Sequence, residues 1–219
     1  MFSIIKDYSF TKHLTENLRK RYEKSKRTKK EPIHVSDIVS SSCIRKQYYD
    51  RKYPSQAQNT LSNDTVYNFV RGESSEHIIT ELAGDLGASQ VKVEWDGIIG
   101  RPDILRRGSD IRPDNFLVVE LKDNATIGKR LEPNDYTFKG YLHQLLYYLV
   151  LTDIENGILC IKYSIPELIW YQRNGEGDHY VKPFNAKAPG IESWAVFLSL
   201  DDPLREEIRN KIPGNVIFS

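Results

Sequence analysis

The run FLVVELK at residues 116–122 constrains the fold more than any other stretch of the chain. It is apolar enough to form a central, buried strand of a sheet, yet it carries Glu120 and Lys122. A helical pattern and two strand-like runs precede it, and a helix and a further strand follow it. This order predicts an α/β fold in which a mixed sheet is flanked by helices.

Hydrophobic spacing and turn residues predict the other elements. Helices are predicted at residues 9–30, 36–49, 65–86, 137–151 and 201–212. Strands are predicted at residues 91–95, 97–107, 116–122, 157–164, 168–173, 179–184 and 194–200. We expect Ser36 to cap the second helix and Pro203 to lie in the first turn of the last one.

The composition excludes several classes of protein. The 219 residues are 39% hydrophobic and 28% charged, which is typical of a folded chain with a sizeable core. No run approaches the ~18 apolar residues of a transmembrane helix, and the first residues lack the features of a secretory signal. Only two cysteines, Cys43 and Cys160, are present. We therefore expect an intracellular, cytoplasmic protein with reduced thiols and no membrane contact.

Positive charge is concentrated near the N-terminus. Nine Lys and Arg stand against two Glu in residues 12–30, a net charge of +7, whereas residues 31–219 sum to about −6. A basic segment beside a mildly acidic body suits the binding of a polyanion, and a solvated helix that aids solubility is the alternative. We divide the chain into a basic helical arm, residues 1–31, and one domain, residues 32–219.

Two carboxylates and one ammonium are expected to converge on the sheet. Glu120 and Lys122 are two residues apart in a strand and therefore project from the same face. Asp103 lies near the neighbouring strand, so pairing of the two strands would bring it close. Crowded carboxylates repel each other unless they are protonated or bridged by a cation, and a hard divalent metal is the usual solution. An ordinary Glu–Lys pair on a solvated face is the alternative.

Polar residues at helical spacing flank this strand region. His77 and Glu81 share one helix face at i,i+4 spacing, although a lone helical His more often lies in a core or on a surface. Gln144 and Tyr148 share a face of the rather apolar helix at residues 137–151. Such side chains are costly in a buried helix unless that face lines a polar site.

Four short motifs occur in a fixed order: G-x4-H at Gly72 and His77, G-x-P-D at residues 100–103, E-x-K at residues 120–122, and Q-x3-Y at Gln144 and Tyr148. Together they resemble the PD-(D/E)xK nuclease superfamily, and their spacing resembles its RecB-like branch and the Cas4-type nucleases. The resemblance covers residues 35–171. It implies a restriction-endonuclease-like core and metal-dependent hydrolysis of DNA.

The resemblance also implies roles for the matching residues. His77, Asp103, Glu120 and the backbone carbonyl of Leu121 would bind Mg²⁺ or Mn²⁺, and a His ligand fits Mn²⁺ somewhat better. Lys122 would be the catalytic lysine, which stabilises charge on the phosphate or helps to deprotonate water. Gln144 and Tyr148 would complete the site. We assign DNA contact to Arg45, Lys46, Tyr48, Arg101 and Lys139.

One departure concerns iron. Cas4 proteins typically hold an iron–sulfur cluster with one N-terminal and three C-terminal cysteines. Cys43 matches the first, but no cysteine follows Cys160. We therefore expect no iron–sulfur cluster, and a compact nuclease of viral or mobile-element origin, acting in the host cytoplasm if viral, fits this pattern better than a role in CRISPR spacer acquisition.

The sequence therefore predicts a metal-dependent deoxyribonuclease that prefers single-stranded DNA. The preference rests on Tyr48 and Tyr49 beside basic residues, because aromatic rings among basic side chains suit unpaired bases. The alternatives are a nucleic-acid-binding module without cleavage and a restriction-type endonuclease that acts on duplex DNA. Homo-oligomerisation is left open.

Overall fold

The structure is a computed structural model that describes residues 8–25, 33–39, 49, 52–53, 62–84, 87–106, 116–125, 130–164, 169–172, 179–182 and 189–211. The helices are α1 (Tyr8–Ser25), α2 (Val35–Val39), α3 (Asn63–Ala83), α4 (Tyr136–Thr152) and α5 (Pro203–Lys211). The strands are β1 (Ile33–His34), β2 (Ala88–Ser89), β3 (Val93–Trp95), β4 (Ile98–Gly100), β5 (Ile104–Arg106), β6 (Leu117–Asn124), β7 (Asn156–Tyr163), β8 (Ile169–Gln172), β9 (His179–Lys182) and β10 (Gly190–Phe197). Within these residues, no helix is long and apolar enough to cross a membrane.

The chain divides into two compact units. One comprises Met1–Glu31 and Cys43–Ser75, and the other comprises Pro32–Ser42 and Glu76–Ser219. In the first unit, the rings of Tyr22 and Phe69 stack with their centroids 5.5 Å apart. The predicted boundary between an arm at residues 1–31 and a domain at residues 32–219 stays a prediction.

The second unit contains a five-stranded mixed sheet in the order β10-β7-β6-β5-β2. Strands β6 and β7 run parallel, with Glu120 opposite Leu159, and the α4 helix forms the connection between them. The other pairs, β10 with β7, β5 with β6 and β2 with β5, are antiparallel. This sheet, with helices packed against it, confirms the predicted α/β class and the arrangement expected of a restriction-endonuclease-like core.

Alternate residues of a strand point to opposite faces of the sheet, and the two faces of β6 are buried against different helices. Val118 lies in the larger core cluster together with Leu145 of α4. Val119 and Leu121 lie in a smaller cluster together with Ile79 of α3. Burial on both sides explains why the run at residues 116–122 is almost continuously apolar, and it makes the charged Glu120 and Lys122 exceptional.

The predicted strand at residues 97–107 is two strands in the structure. These strands, β4 and β5, belong to different sheets, since β4 pairs with β1 and β3 in a three-stranded sheet. Pro102 lies fully buried between them and has no N–H with which to continue a ladder. Strands β3 and β4 form an antiparallel hairpin. Asp96 (φ 47°) and Gly97 (φ 76°) make its two-residue turn, whose left-handed backbone suits an Asp-Gly pair.

Several element boundaries differ from the predicted ones. Helix α2 begins at Val35, so Ser36 lies inside it rather than at its cap. Strand β10 begins at Gly190, ahead of the predicted start at residue 194. The remaining residues of the first two predicted helices, 26–30 and 40–48, lie outside the described part of the chain.

Arg205 of α5 connects the end of α4 to the segment that follows it and to the segment after β10. Its side chain is only 1% exposed, and its guanidinium nitrogens donate to the carbonyl oxygens of Leu149 (3.0 Å), Ile154 (2.6 Å) and Leu198 (2.8 Å). Its Nε donates to the carbonyl oxygen of Ser199 at 2.8 Å. A cation is favourable near the carbonyl groups that end a helix, so this arginine holds the end of α4 in place.

Candidate active site

Asp103 is held against the middle of β6. It directly precedes β5, whose Ile104 pairs with Val119. The backbone N–H of Leu121 donates to Asp103 Oδ2 at 2.6 Å, so the carboxylate lies beside the E-x-K motif. Burial raises the pKa of Asp103, while the Lys122 charge and the Leu121 N–H act in the opposite direction. The strand pairing that the sequence suggested therefore brings this carboxylate to the motif.

Glu120 is the most deeply buried carboxylate of this region, with 1% of its side chain exposed. One oxygen, Oε1, forms an ion pair with the Lys122 ammonium. The other oxygen, Oε2, is buried and has no hydrogen-bond partner among the residues that the structure describes. Burial, together with the nearby charges of Asp103 and Glu76, raises the pKa of Glu120 to about 8, although Lys122 opposes this change. An orphaned, buried carboxylate oxygen is unusual in a folded protein and calls for a functional explanation.

Lys122 starts a chain of hydrogen bonds that runs along α4. Its Nζ donates to Gln144 Oε1 at 2.9 Å, and Gln144 Nε2 donates to the Tyr148 hydroxyl at 3.2 Å. The Lys122 ammonium also lies 5.5 Å from the centroid of the Tyr141 ring. Burial by itself would lower the pKa of Lys122, but the charges of Glu120 and Asp103 outweigh it and raise that pKa. The lysine is therefore held as an ammonium.

Tyr148 is buried against β4, and the absence of a side chain at Gly100 allows this contact. A Cβ atom at Gly100 would lie 2.8 Å from Tyr148 Cε1, closer than such atoms approach. Burial and the charge of Glu120 raise the pKa of Tyr148, while a backbone hydrogen bond with Arg101 acts in the opposite direction. The glycine of the G-x-P-D motif thus provides space for the tyrosine of the Q-x3-Y motif.

Glu76 of α3 was not among the site residues predicted from the sequence. Gln90 Nε2 donates to carboxylate oxygens of both Glu76 and Asp103, at 3.0 Å for Asp103 Oδ1, so the two carboxyl groups lie close together. Burial and the Asp103 charge raise the pKa of Glu76 to about 7. Two carboxyl groups this close repel each other when both are ionised.

Helical spacing explains why Glu76, rather than His77, reaches this position. Glu76 lies three and seven residues before Ile79 and Ala83, which pack into the smaller core cluster, and it therefore shares their face of α3. His77 is rotated by about 100° from Glu76. It is exposed, and within the described residues no hydrogen bond joins it to the carboxylates. The core-facing stripe of α3 was the sequence signal that could have identified Glu76.

The residues assigned to DNA contact have mixed positions. Arg101 and Lys139 are exposed, at the end of β4 and in the first turns of α4. The candidates Arg45, Lys46 and Tyr48, together with Cys43, lie outside the described residues. Cys160 is a free, buried thiol in the smaller core cluster, and burial raises its pKa.

The arrangement of these side chains bears directly on metal binding. In the described part of the chain, no group of three or more His, Cys, Asp and Glu is arranged to hold a metal ion. The carboxylates instead form two pairs, Glu76 with Asp103 and Glu120 with Lys122. The possible metal ligands nevertheless suit a hard divalent cation, because the side chains of Glu76, Asp103 and Glu120 all offer oxygen atoms. One of these atoms, Glu120 Oε2, has no hydrogen-bond partner among the described residues.

Comparison with known proteins identifies a shared fold. No family model matches the chain, and no curated protein matches its sequence. The structure is similar to the crystal structure of SSO0001, with a TM-score of 0.56 and 20% identity over 96% of this chain and 88% of that one. Lower TM-scores relate it to an alkaline exonuclease (LHK-Exo) from Laribacter hongkongensis (0.45, 14% identity, 84% of this chain and 86% of that one) and to a phage-related exonuclease from Haemophilus somnus (0.44, 14%, 84% and 90%). The likeness to SSO0001 shows that the two chains share a fold.

Proposed function

We propose that this chain is a divalent-metal-dependent deoxyribonuclease that prefers single-stranded DNA. The observation that supports this most strongly is the set of buried charges at β6: Glu120 with its orphaned Oε2, Asp103 at the next strand, and Lys122 between Glu120 and Gln144. Burying several charged groups lowers stability unless the groups form ion pairs with each other or bind a ligand. Buried acids with raised pKa values beside a lysine are typical of functional sites.

A Mg²⁺ or Mn²⁺ ion would be held by Asp103, Glu120 and the carbonyl of Leu121, with Glu76 as the next nearest carboxylate. When bound, such an ion polarises the phosphodiester and makes water a better nucleophile at neutral pH. Burial is the main cause of the raised pKa values of these three carboxyl groups, and repulsion by neighbouring carboxylates adds to it for Glu76 and Glu120, so a positive charge would offset both effects. The predicted ligand role of His77 stays a prediction.

Lys122 would stabilise the negative charge that develops on the phosphate. An ammonium has three N–H donors, and Glu120 and Gln144 accept two of them in the described structure. The third can point to a phosphate oxygen without disturbing either contact. Of the two roles considered for this lysine, the stabilisation of charge fits a group that is held protonated, whereas a general base must first lose a proton.

Gln144 and Tyr148 would position this lysine rather than contact the reacting atoms. Tyr148 is fixed by its burial against Gly100, Gln144 is oriented by the Tyr148 hydroxyl, and the Gln144 carbonyl oxygen accepts from Lys122. Each partner therefore removes rotational freedom from the next. Such positioning is worth much in catalysis, because small misplacements of a catalytic group reduce rates strongly.

The preference for single strands rests on exposed aromatic and basic residues in the first unit. The rings of Tyr49 and Tyr53, both about half exposed, are stacked with their centroids 6.2 Å apart. The Lys52 ammonium lies 5.8 Å from the centroid of the Tyr53 ring. Stacking platforms beside cations bind unpaired bases with little regard to sequence. A polar, lysine-rich α1 adds non-specific attraction to phosphates.

A second candidate function is DNA binding without cleavage. Two observations favour it. The described acidic side chains are not arranged to hold a metal ion, and Lys122 already pairs with Glu120. In that case, the charged cluster would have only a structural role.

Incubation of the purified full chain with end-labelled single-stranded and duplex DNA separates the two functions. We expect cleavage of the single strand in Mn²⁺ or Mg²⁺, slower cleavage of blunt duplex, and none in EDTA. Binding without cleavage at any metal concentration would support the binding module instead. Faster cleavage of duplex than of single strands would contradict the proposed preference.

A further inference from the structure

We propose that an exposed face of α4 guides single-stranded DNA to the site, with the ring of Tyr136 stacked on an unpaired base. This face consists of Tyr136, Lys139 and His143 and is called the α4 stripe below. The inference rests on the proposed function and adds to it a binding residue and a path. It begins from one side chain: Tyr136 is 89% exposed, more than any other large hydrophobic side chain in the described residues.

The three residues of the stripe lie on one side of the helix. They are spaced by three and four positions, which places them above one another on the helix surface, and all three are exposed. Gly140 lies among them, and no other atom of the described residues stands within 4 Å of where its Cβ would be. The face is therefore open and unobstructed, so that a polymer strand could lie along it.

The stripe leads to the proposed site. Tyr136, Gly140 and Gln144 follow one another at four-residue spacing along α4, and Gln144 contacts Lys122. Tyr136 precedes Gln144 by eight residues, or about 12 Å along the helix axis at 1.5 Å per residue. At the duplex spacing of about 3.4 Å per nucleotide, this distance spans three to four nucleotides, and fewer in a stretched strand. A base stacked on Tyr136 would thus lie a few nucleotides from a phosphate beside Lys122.

Tyr136 contributes little to folding, so its exposure is not explained by packing. Only about a tenth of the surface of Tyr136 is covered, so its burial contributes little hydrophobic stabilisation. The exposed ring remains available to a planar partner. An aromatic face that stacks on a base contributes about 1–3 kcal/mol and tolerates any sequence. The position therefore suits a non-specific contact with DNA bases.

The charges around Tyr136 favour a base over a phosphate as its partner. Glu132 is exposed, and the carboxylate of Asp135 accepts from the Glu132 N–H at 2.8 Å. These two acidic residues repel a phosphate at the start of α4. One turn further along the stripe, Lys139 is exposed and attracts one. This alternation fits a single strand with its bases turned towards Tyr136, whereas the bases of a duplex are stacked among themselves and cannot reach the ring.

The test measures DNA binding without catalysis. Fluorescence anisotropy of a labelled oligothymidylate and of a labelled duplex, both in EDTA, gives the affinity of the full chain for each. We expect Tyr136→Ala to weaken single-strand binding by about 5- to 100-fold, the range that corresponds to the loss of one stacked base. Binding of duplex should change less than about twofold, and Tyr136→Trp should retain wild-type affinity.

Phe197→Ala is the matched control. Phe197 is also an exposed aromatic residue (67%), and its partner Asn156 lies opposite Leu117 at the far end of β6 from Lys122. Wild-type affinity of Tyr136→Ala for the oligothymidylate, or equal losses in both variants, would overturn the inference. Cleavage with an intact Tyr136→Ala affinity would refute the inference alone, whereas Tyr136-dependent binding without any cleavage would refute only the proposed catalysis.

A second measurement does not depend on mutation. Photo-crosslinking of a single strand that carries 5-iodouracil at successive positions should label Tyr136 when the halogenated base reaches the ring. Label confined to residues outside the α4 stripe would contradict the proposed path.

Discussion

The Lys122 ammonium donates to Gln144 Oε1 over 2.9 Å, and this contact joins the central strand of the sheet to the helix that crosses it. Gln144 is fixed in turn by the hydroxyl of Tyr148 at 3.2 Å. Two motifs that lie 22 residues apart in the chain thereby act as one unit. Lys122 thus contacts the carboxyl group of Glu120 and the side-chain amide of Gln144, and both contacts restrict the position of its ammonium group.

Gln144→Leu should lower the turnover of DNA by about 10- to 100-fold, because Lys122 loses the partner that positions it. The KM for DNA should change little, since Gln144 is not expected to contact the substrate. Gln144→Glu should restore part of the rate, because a carboxylate oxygen can accept from the same ammonium. Steady-state kinetics on a single-stranded substrate provides both parameters. A raised KM at wild-type turnover would contradict a positioning role.

The pair Glu76 and His77 distinguishes two versions of the site. Glu76→Gln should lower activity by at least about tenfold, since it removes a carboxylate beside Asp103. His77→Gln should leave activity within about twofold, because His77 is exposed on another face of α3. Both variants are assayed over a range of Mn²⁺ concentrations. A larger loss in His77→Gln than in Glu76→Gln would support the predicted ligand role of the histidine and contradict the proposed role of Glu76.

The metal-free protein should become less stable as the pH rises. The pKa of Glu120 is raised from 4.5 to about 8 and that of Glu76 to about 7, so folding favours the protonated carboxyls. The stabilisation is complete below the unfolded pKa near 4.5 and is lost as the pH passes through the folded values. One proton corresponds to a slope of about 1.4 kcal/mol per pH unit. Urea unfolding in the presence of a chelator, repeated over a range of pH values, gives the free energy of unfolding as a function of pH. This free energy should fall less steeply with pH for Glu120→Gln than for the wild type, and equal pH dependences would contradict the prediction.

The buried Arg205 should contribute strongly to the stability of the second unit. Arg205→Met removes the guanidinium donors to the carbonyls of Leu149, Ile154 and Leu198, and we expect a loss of about 3 kcal/mol or more in the free energy of unfolding. Arg209→Met is the control, because Arg209 forms a mostly exposed ion pair with Asp153 and should contribute less than about 1 kcal/mol. Chemical denaturation measures both, and equal effects would show that the Arg205 contacts are not specific.

The sequence was informative where a simple period decides the outcome. The two-residue repeat of a strand places Glu120 and Lys122 on one face, and the i,i+4 spacing of a helix places Gln144 beside Tyr148. The structure has both arrangements. The order of helices and strands was predictable for the same reason.

Features that depend on how elements pack were not predictable from these periods. The core-facing stripe of α3 places Glu76 towards the sheet, but the packing of α3 on the sheet brings it beside Asp103. The division of residues 97–107 into two sheets follows from Pro102, whose missing N–H interrupts the ladder. The contact of Gln144 with Lys122 requires the crossing of α4 over β6, which no local pattern encodes.

The central claim is that the acidic cluster at β6 catalyses DNA cleavage, and Glu120→Gln tests it most directly. The substitution keeps the shape of the buried side chain and removes the negative charge, so the fold should persist. Glu94→Gln is the control, because Glu94 is exposed in the same unit and its ion pair within the described residues is with the exposed Lys92. In single-turnover cleavage of end-labelled single-stranded DNA with saturating Mn²⁺, the account predicts a loss of at least about 100-fold for Glu120→Gln and no change for Glu94→Gln. Wild-type cleavage by a folded Glu120→Gln protein would contradict it.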